Sequence, residues 1–501
     1  MMPPLILLVL YLTLPLFIFF LVRNLMNPHK SKTLPPGPKG LPIIGNLYKL
    51  DNSVLHLQLW NLSKKFGPIF TLWLGFRPAI IISSPQLAEE AMKIQDPKVC
   101  GRPKFVAQQR ISYDGIEMAF SPYDNCWKEI KKICVSNVLS PRRIAGYYSI
   151  RKEEVKKMMK KIHEHATSSE VVNLKDPLLN LMMNLVCKIV LGRTYEDEGP
   201  ERERFLSLFD ECNAWLGTYF LSDYFPFLSW IDRMMGLHSR LDKNFKELDE
   251  FYQEIIDEHS DPNRKVLEGE EDITDILLQM QKDHSTSMDL TNDHVKAIIM
   301  DILVGATDTT AATTVWIMTN LIKNARVLKK VQEEIRSLGG KKDFLEEDEI
   351  QKFTYFKAVI KESLRLHLPA PIIPRATHES CNIGGYQIPP NTLVYVNTWA
   401  IHRDPQSWKD PEEFYPERFL DNDINLRGQD FKLFPFGSGR RMCPGLPLAT
   451  AALDLILANL LNSFDWELPE GIKGEDIDYE RLPGIAHHKK NPLYLIAKTH
   501  I

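Results

Sequence analysis

The stretch Phe434-Pro435-Phe436-Gly437-Ser438-Gly439-Arg440-Arg441-Met442-Cys443-Pro444-Gly445 constrains this chain more than any other. Two glycines before the cysteine and Gly445 after it let the backbone turn tightly and approach a flat group closely. Arg441 offers a fixed charge that can fork onto a carboxylate, and Phe436 offers an aromatic face. Cys443 lies just ahead of an apolar helical pattern, where a helix amino end and basic neighbours favour a thiolate. These are the parts of a thiolate ligand held against a flat, carboxylate-bearing cofactor such as haem. The plain alternative is a glycine-rich turn around an inert buried cysteine. The spacing Phe-x-x-Gly-x-Arg-x-Cys-x-Gly argues against it, since a chance match in this length is roughly one in ten thousand or rarer.

A second segment breaks its own pattern. Residues 293–324 read as a long apolar-periodic helix interrupted by Gly305-Ala306-Thr307-Asp308-Thr309-Thr310. A glycine among β-branched threonines is a poor helix centre, and such conflicts mark functional sites. Thr309 can bond back to the Gly305 carbonyl and loosen the turn, leaving room for a small molecule. Asp308 and Thr309 put a carboxylate beside a hydroxyl, a pair that suits proton transfer. A satisfied aspartate in a buried threonine-rich helix is the reading to beat.

The amino terminus is apolar and uncharged from residue 3 to residue 22, close to the ~20 residues that span a bilayer. No small-residue cleavage site follows, so an anchor is expected rather than a cleaved signal. Arg23, Lys30, Lys32 and Lys39 follow the span and no basic side chain precedes it, which places the body in the cytosol. The expected organisation is an anchor at 3–22, a basic linker and stiff Leu34-Pro35-Pro36-Gly37-Pro38 hinge within 23–40, and one catalytic domain at 41–501. The 501 residues are 44% hydrophobic, enough for a large core, and the net charge of −4 leaves no footprint for nucleic acid. Seven scattered cysteines do not read as a disulfide framework and fit a reducing compartment. Helices are predicted at 141–165, 201–215, 241–259, 293–324, 325–338 and 448–462. A hairpin is predicted from 70–74 and 79–82, a second β region at 381–396, and a loop or disordered tract at 261–272.

The cysteine loop is similar to the ligand signature of the cytochromes P-450, and the resemblance covers essentially the whole chain. It implies a mainly α fold with small β-sheets (α+β), preceded by one transmembrane helix. Haem b would lie between a helix beginning near Gly445 and the one beginning near Asp293, with Cys443 as the iron ligand. It also implies a monooxygenase that uses O2, with NADPH electrons arriving through an NADPH–cytochrome P-450 reductase. The expected setting is the endoplasmic reticulum membrane, single-pass and in contact with lipid.

Further residues follow residue by residue. Gly305 to Thr310 resembles the family's acid–alcohol motif, with Ala306 where a second glycine is usual, which narrows the groove. Trp127, Arg375 and Arg441 match propionate-binding positions; Lys131 stands where arginine is usual and keeps the charge without the fork. Glu362 and Arg365 resemble the family's Glu-x-x-Arg brace, completed by Arg418. Pairs at the same spacing, Glu201/Arg204 and Glu333/Arg336, read as solvated helix pairs. Substrate would be lined by the 100–120 segment, Ile302, Leu303, Ala306, Ile372, Ile373 and Ile485, which suits a small hydrophobic or amphipathic molecule. The wording resembles plant A-type members of specialised metabolism, near a group that oxidises aldoximes. A reductase-independent isomerase or dehydratase, and a non-catalytic membrane haem- or lipid-binding protein, are the rival classes. The retained Asp308-Thr309 pair argues against the isomerase or dehydratase.

Overall fold

The computed structural model describes Thr13 and residues 34–195, 199–266, 269–482, 484 and 486–500. The expected span at 3–22, most of the 23–40 linker, and Ile485 lie outside the described residues. The hinge is seen where it meets the body: the carbonyls of Pro35 and Pro36 accept the Thr71 hydroxyl (2.8 Å) and N–H (3.1 Å). A side chain on Gly37 would run into the Thr71 carbonyl, so this proline segment needs its glycine to lie flat on the sheet.

The main sheet is small. Strands β1 (Ile69–Leu74) and β2 (Arg77–Ile82) form the predicted hairpin, in register from Ile69↔Ile82 to Leu74↔Arg77. Strand β3 (Val171–Asn173) belongs to a second, three-stranded sheet. The 381–396 region yields β5 (Cys381–Ile383), β6 (Tyr386–Ile388) and β7 (Leu393–Asn397), after β4 (Ile372–Ala376). The order β1-β2-β7-β4 includes one parallel pair, β2 with β7. At the carboxyl end, β8 (Phe464–Glu467) and β11 (Tyr494–Thr499) complete the three-stranded sheet, while β9 (Arg481–Leu482) and β10 (His488–Lys489) pair as a short antiparallel ribbon.

Helices make the rest, chief among them α1 (Asn125–Ile133), α2 (Tyr148–Ser168), α3 (Lys175–Leu191), α4 (Pro200–Leu216), α5 (Leu237–His259), α6 (Asn292–Lys323), α7 (Ala325–Gly339), α8 (Thr354–Leu366) and α9 (Leu446–Ser463), with Leu55–Phe66, Ile273–Lys282 and shorter helices besides. The predicted 141–165 helix is two, Pro141–Gly146 and α2, split where Tyr147 turns its ring into the core. Helix α3 is absent from the sequence expectation. Its continuous apolar run is buried on most faces, so it lacks the polar stripe that reveals a helical period. Helices α6 and α9 are long and apolar enough to cross a membrane, yet both are interior helices of this fold. The 261–272 tract has no regular structure in its described part, but Arg264 Nη2 ties it down through Asp272 (2.8 Å) and Asp275 (3.2 Å).

Glu362 and Arg365 on α8 are both fully buried. Arg365 grips the carboxylate with Nε (2.7 Å) and Nη2 (2.9 Å), and its remaining donors take the carbonyls of His402, Pro411 and Glu413. Arg418 Nε (3.1 Å) and the Tyr415 N–H (2.9 Å) complete the carboxylate's partners. The other two pairs are not formed as expected. Arg204 reaches Glu254 on α5, and half-buried Arg336 reaches Asp465 and the carbonyls at the end of α9. Their donors had better acceptors on neighbouring elements than a glutamate on the same helix. Removing one member of the buried brace leaves an uncompensated charge. Arg365→Ala is therefore expected to lose about 3–5 kcal/mol in denaturant unfolding, whereas Arg204→Ala, on an exposed pair, loses less than about 1 kcal/mol.

Candidate active site

The brace leads directly to the cysteine loop. His402, whose carbonyl Arg365 holds, accepts the Phe434 N–H on Nε2 at 3.1 Å. Burial, then Arg365 and Arg403, push His402 down to about 3, so the ring is neutral and its nitrogen is free to accept. Beyond Phe434 the loop depends on two glycines. Gly437 and Gly439 have φ of 75° and 69°, and a side chain on Gly439 would strike the Met92 carbonyl and Asp96. The loop closes through the Cys443 N–H and the Phe436 carbonyl at 2.9 Å.

Cys443 is half-buried just before α9, which begins at its N-cap Gly445. Burial pushes the thiol up, while the Gly445 and Leu446 N–H groups aimed at sulfur pull the other way. Of the expected help, the helix amino end acts on this sulfur through these backbone N–H groups, and no basic side chain among the described residues does. All seven cysteines are free.

On the facing helix, α6 stays α-helical through the glycine and threonines, so the expected loosening of the turn does not occur. The threonines bond back one turn without breaking the ladder. Thr309 Oγ1 reaches the Gly305 carbonyl at 2.7 Å, as expected, and Thr307 reaches Leu303 at 2.8 Å. Gly305 is exposed in the middle of a core helix, and space is open where its side chain would be. Asp308, adjacent in sequence, points elsewhere: its Oδ2 lies 2.7 Å from His488 Nε2 on β10. Neighbours on a helix are about 100° apart, so the carboxylate and the Thr309 hydroxyl do not face one another.

Positive charge gathers around the cysteine loop. Arg375 on β4 is 1% exposed, with Nη1 unpartnered and Nη2 at 3.4 Å from the Ser438 carbonyl. Arg441 spends its donors on the carbonyls of Cys100, Met118 and Ser121 (2.6–2.9 Å) and lies 4.2 Å over the Trp127 ring. Trp127 donates Nε1 to the Met118 carbonyl (3.0 Å), and Lys131 donates to the Arg440 carbonyl. Arg102, which the sequence reading did not single out, joins them through Ala119 (2.6 Å) and Pro374. Carbonyls satisfy N–H groups without neutralising charge. Burial and then Arg102 push Arg441 down to about 9 and Arg375 well below its usual range. Neither makes an ion pair among the described residues. Buried cations without carboxylate partners, on and around a loop whose thiol receives two N–H groups, fit a flat dianion with a metal centre, and haem with its propionates has that chemistry.

Of the expected substrate contacts, Leu303 is fully buried and Ile302 nearly so, both within the core. Ala306, Ile372 and Ile373 are half-buried, with Ala306 next to exposed Gly305. A separate cavity of about 480 Å³ lies between the main sheet and the chain after α4, lined by Leu72, Leu74, Tyr219, Tyr224, Phe225 and Tyr395 among others.

A buried acid pair also escaped the sequence reading, although a lone Asp301 inside the apolar run 297–304 was a signal. Asp301 on α6 meets Glu117, which is fully buried, and the pair receives the N–H groups of Met118 (2.8 Å), Ala119 and Phe120 (2.6 Å). Burial, then the Glu117 carboxylate, raise Asp301 well above the usual carboxylate range, so the fold binds a proton there. Its stabilising effect is complete below about pH 4, where the unfolded aspartate is also protonated, and is lost as pH rises through the raised folded value. Heat-unfolding midpoints should thus fall less steeply towards alkaline pH in Asp301→Asn than in the parent. Identical slopes would mean no proton is held.

A family model described as Cytochrome P450 matches residues 35–496. The chain is 44% identical over 476 residues to a 5-OH-xanthotoxin synthase of Pastinaca sativa, covering 93% of each chain. It is 42% identical over 507 residues to a 6,7,8-trihydroxycoumarin synthase of the same plant (97% and 99% covered). It is likewise 42% identical over 477 residues to Cytochrome P450 71B37 of Arabidopsis thaliana (94% of each). A zebra fish cytochrome P450 solved with progesterone shares the fold, at TM-score 0.76 and 24% identity, covering 88% of this chain and 99% of that one. With the loop, the helix and the buried cations in place, these likenesses make the conclusion plain: the chain belongs to the cytochrome P450 family and is a monooxygenase of that family.

Proposed function

We propose that Cys443 ligates the haem iron, that Arg375, Arg441, Trp127 and Lys131 hold the propionates, and that Thr309 and Asp308 manage protons on the opposite face. The observation that carries this reading is the set of buried cations without carboxylate partners around the loop that bears Cys443, together with the open space on α6 at Gly305. Bound haem supplies dioxygen activation and insertion of one oxygen atom into a substrate C–H bond. The protein's own groups do the rest. Gly445 and Leu446 N–H groups support negative charge on sulfur, Phe436 backs the loop, and Thr309 presents a hydroxyl at the opening.

The substrate is inferred to be a planar oxygen heterocycle of the coumarin class. Two relatives at 42–44% identity over almost the whole chain are named for such compounds, and no relative reported above is named for an aldoxime. Half-buried apolar Ala306, Ile372 and Ile373 suit a flat, weakly polar ring system. Electrons are proposed to come from NADPH through a reductase, at the cytosolic face of the endoplasmic reticulum membrane. Exposed Phe227, Trp230, Met234 and Met235 between α4 and α5 support a lipid-facing surface on the folded body.

The reduced protein with CO is expected to show the red-shifted Soret band of thiolate ligation, and Cys443→Ala to lose it; an imidazole-like band in folded protein would refute the ligand. Thr309→Ala should keep haem and release more peroxide per NADPH, and an unchanged product yield would remove its proton role. Adding a panel of coumarins and furanocoumarins to the ferric protein should shift its spin state and, with reductase and NADPH, yield a hydroxylated product. A response to aldoximes alone would overturn the substrate class.

A further inference from the structure

The carboxylate of Asp308 is not at rest beside Thr309; it is held by a residue from the far end of the chain. His488 Nε2 stands 2.7 Å from Asp308 Oδ2, with the two side chains 15% and 29% exposed. The contact is built into the fold. The β9–β10 ribbon pairs His488 with Leu482 and Lys489 with Arg481, and the next carbonyl back, that of His487, accepts Trp316 Nε1 at 2.9 Å. Trp316 is fully buried on α6 eight residues after Asp308, so one helix carries both the anchor of the ribbon and the acid that the ribbon meets. The His487 N–H is fixed in turn by the Pro369 carbonyl at 2.8 Å.

The surrounding charges leave this contact distinct. Lys489 is turned to Asp478 at 3.2 Å. Arg481 donates to the Leu368 carbonyl and lies over the rings of Trp316 and Trp399. From α4, Asp210 feels Asp308: burial, then Asp308, raise it, while Lys175 on α3 pulls it down. Asp308 is thus a carboxylate with another acid nearby and one imidazole in contact.

We propose that His488 is a positioning residue that holds Asp308 on the solvent side of α6 and returns to it the protons it passes towards Thr309. The inference rests on the reading of Asp308 and Thr309 as the proton-delivering pair. Per turnover a C–H substrate, O2, two electrons and two protons become C–OH and water, with the electrons coming from NADPH. Each proton that Asp308 gives up is replaced through His488 Nε2–H, and the partly exposed imidazole regains one from water. An arginine in the same place would hold the carboxylate but not surrender a proton at neutral pH.

The test compares the holoenzyme with Asp308→Asn, His488→Gln, their double variant and His488→Arg. His488→Gln should load haem normally by its CO band, lower product per NADPH by about threefold, and raise the solvent isotope effect on turnover; this is well short of the ~10²-fold expected of a group in the transition state itself. It should add nothing in the Asp308→Asn background, and heat-unfolding midpoints across the four-member cycle should be non-additive. His488→Arg should recover the midpoint but not the yield. A parental yield in His488→Gln, additive effects in the cycle, or full recovery by His488→Arg would each overturn the proposal. Should the glutamine variant fail to load haem, His488→Asn and His488→Arg carry the same comparison. Unchanged coupling in both Asp308→Asn and Thr309→Ala would instead sink the underlying proton-delivery reading.

Discussion

The site rests on a carboxylate with no access to water. Glu362 is fully buried and bound by Arg365, Arg418 and the Tyr415 N–H, so α8 and the 415–418 segment must come together before its charge is compensated. Through the carbonyl of His402 the same cluster reaches a neutral imidazole, and through that imidazole the Phe434 N–H. The cysteine loop therefore takes its position from an ion cluster on another helix, although its tight turns come from its own glycines. This separates two tasks: local backbone freedom shapes the loop, and a distant buried charge aims it.

A second theme is the uneven treatment of charge around the core. The brace pairs its arginines with a carboxylate, whereas Arg375 and Arg441 are buried against carbonyls and, for Arg441, the Trp127 ring, with no carboxylate among the described residues. Opposite charge is not missing from the neighbourhood. Glu117 and Asp301 lie on the adjoining loop and helix, but they meet each other, with Asp301 raised well above the usual carboxylate range, and bind backbone N–H groups instead of the arginines. The cations are thereby left for an anionic ligand, and the loop bearing Met118 and Ser121 is strapped to α6 on one side and to Arg441 on the other. A site arranged in this way favours a bound dianion without a protein carboxylate competing for it.

The active-site helix combines two properties that ordinarily conflict. It is buried all round along most of its length, which keeps it rigid, yet at Gly305 it is open. The threonines expected to disrupt it satisfy their hydroxyls on carbonyls one turn back, and packing against α3 and α9 outweighs their poor helix propensity. Propensity predicted a broken helix, and tertiary burial kept it whole.

What the sequence determined by itself were features whose information is local: the glycine–cysteine loop, the back-bond from Thr309 to Gly305, the hairpin at 69–82, and the spacing that puts Glu362 and Arg365 on one helix face. Each depends on residues a few positions apart, so short-range stereochemistry suffices. The Glu333/Arg336 spacing was as good as that of the brace, yet Arg336 turns to the end of α9, because a guanidinium goes to the best acceptors its neighbours offer. Helix α3 left no periodic trace because burial on most faces erases the contrast on which periodicity depends. Only the tertiary structure decided that Arg102 joins the cations, that Glu117 meets Asp301, and that Asp308 faces His488. These partners are separated by 180 residues or more in the last two cases, and Arg102 and Arg441 by more still. No local pattern encodes such meetings; they arise when the whole chain packs and each buried charge must find a partner, a proton or a ligand.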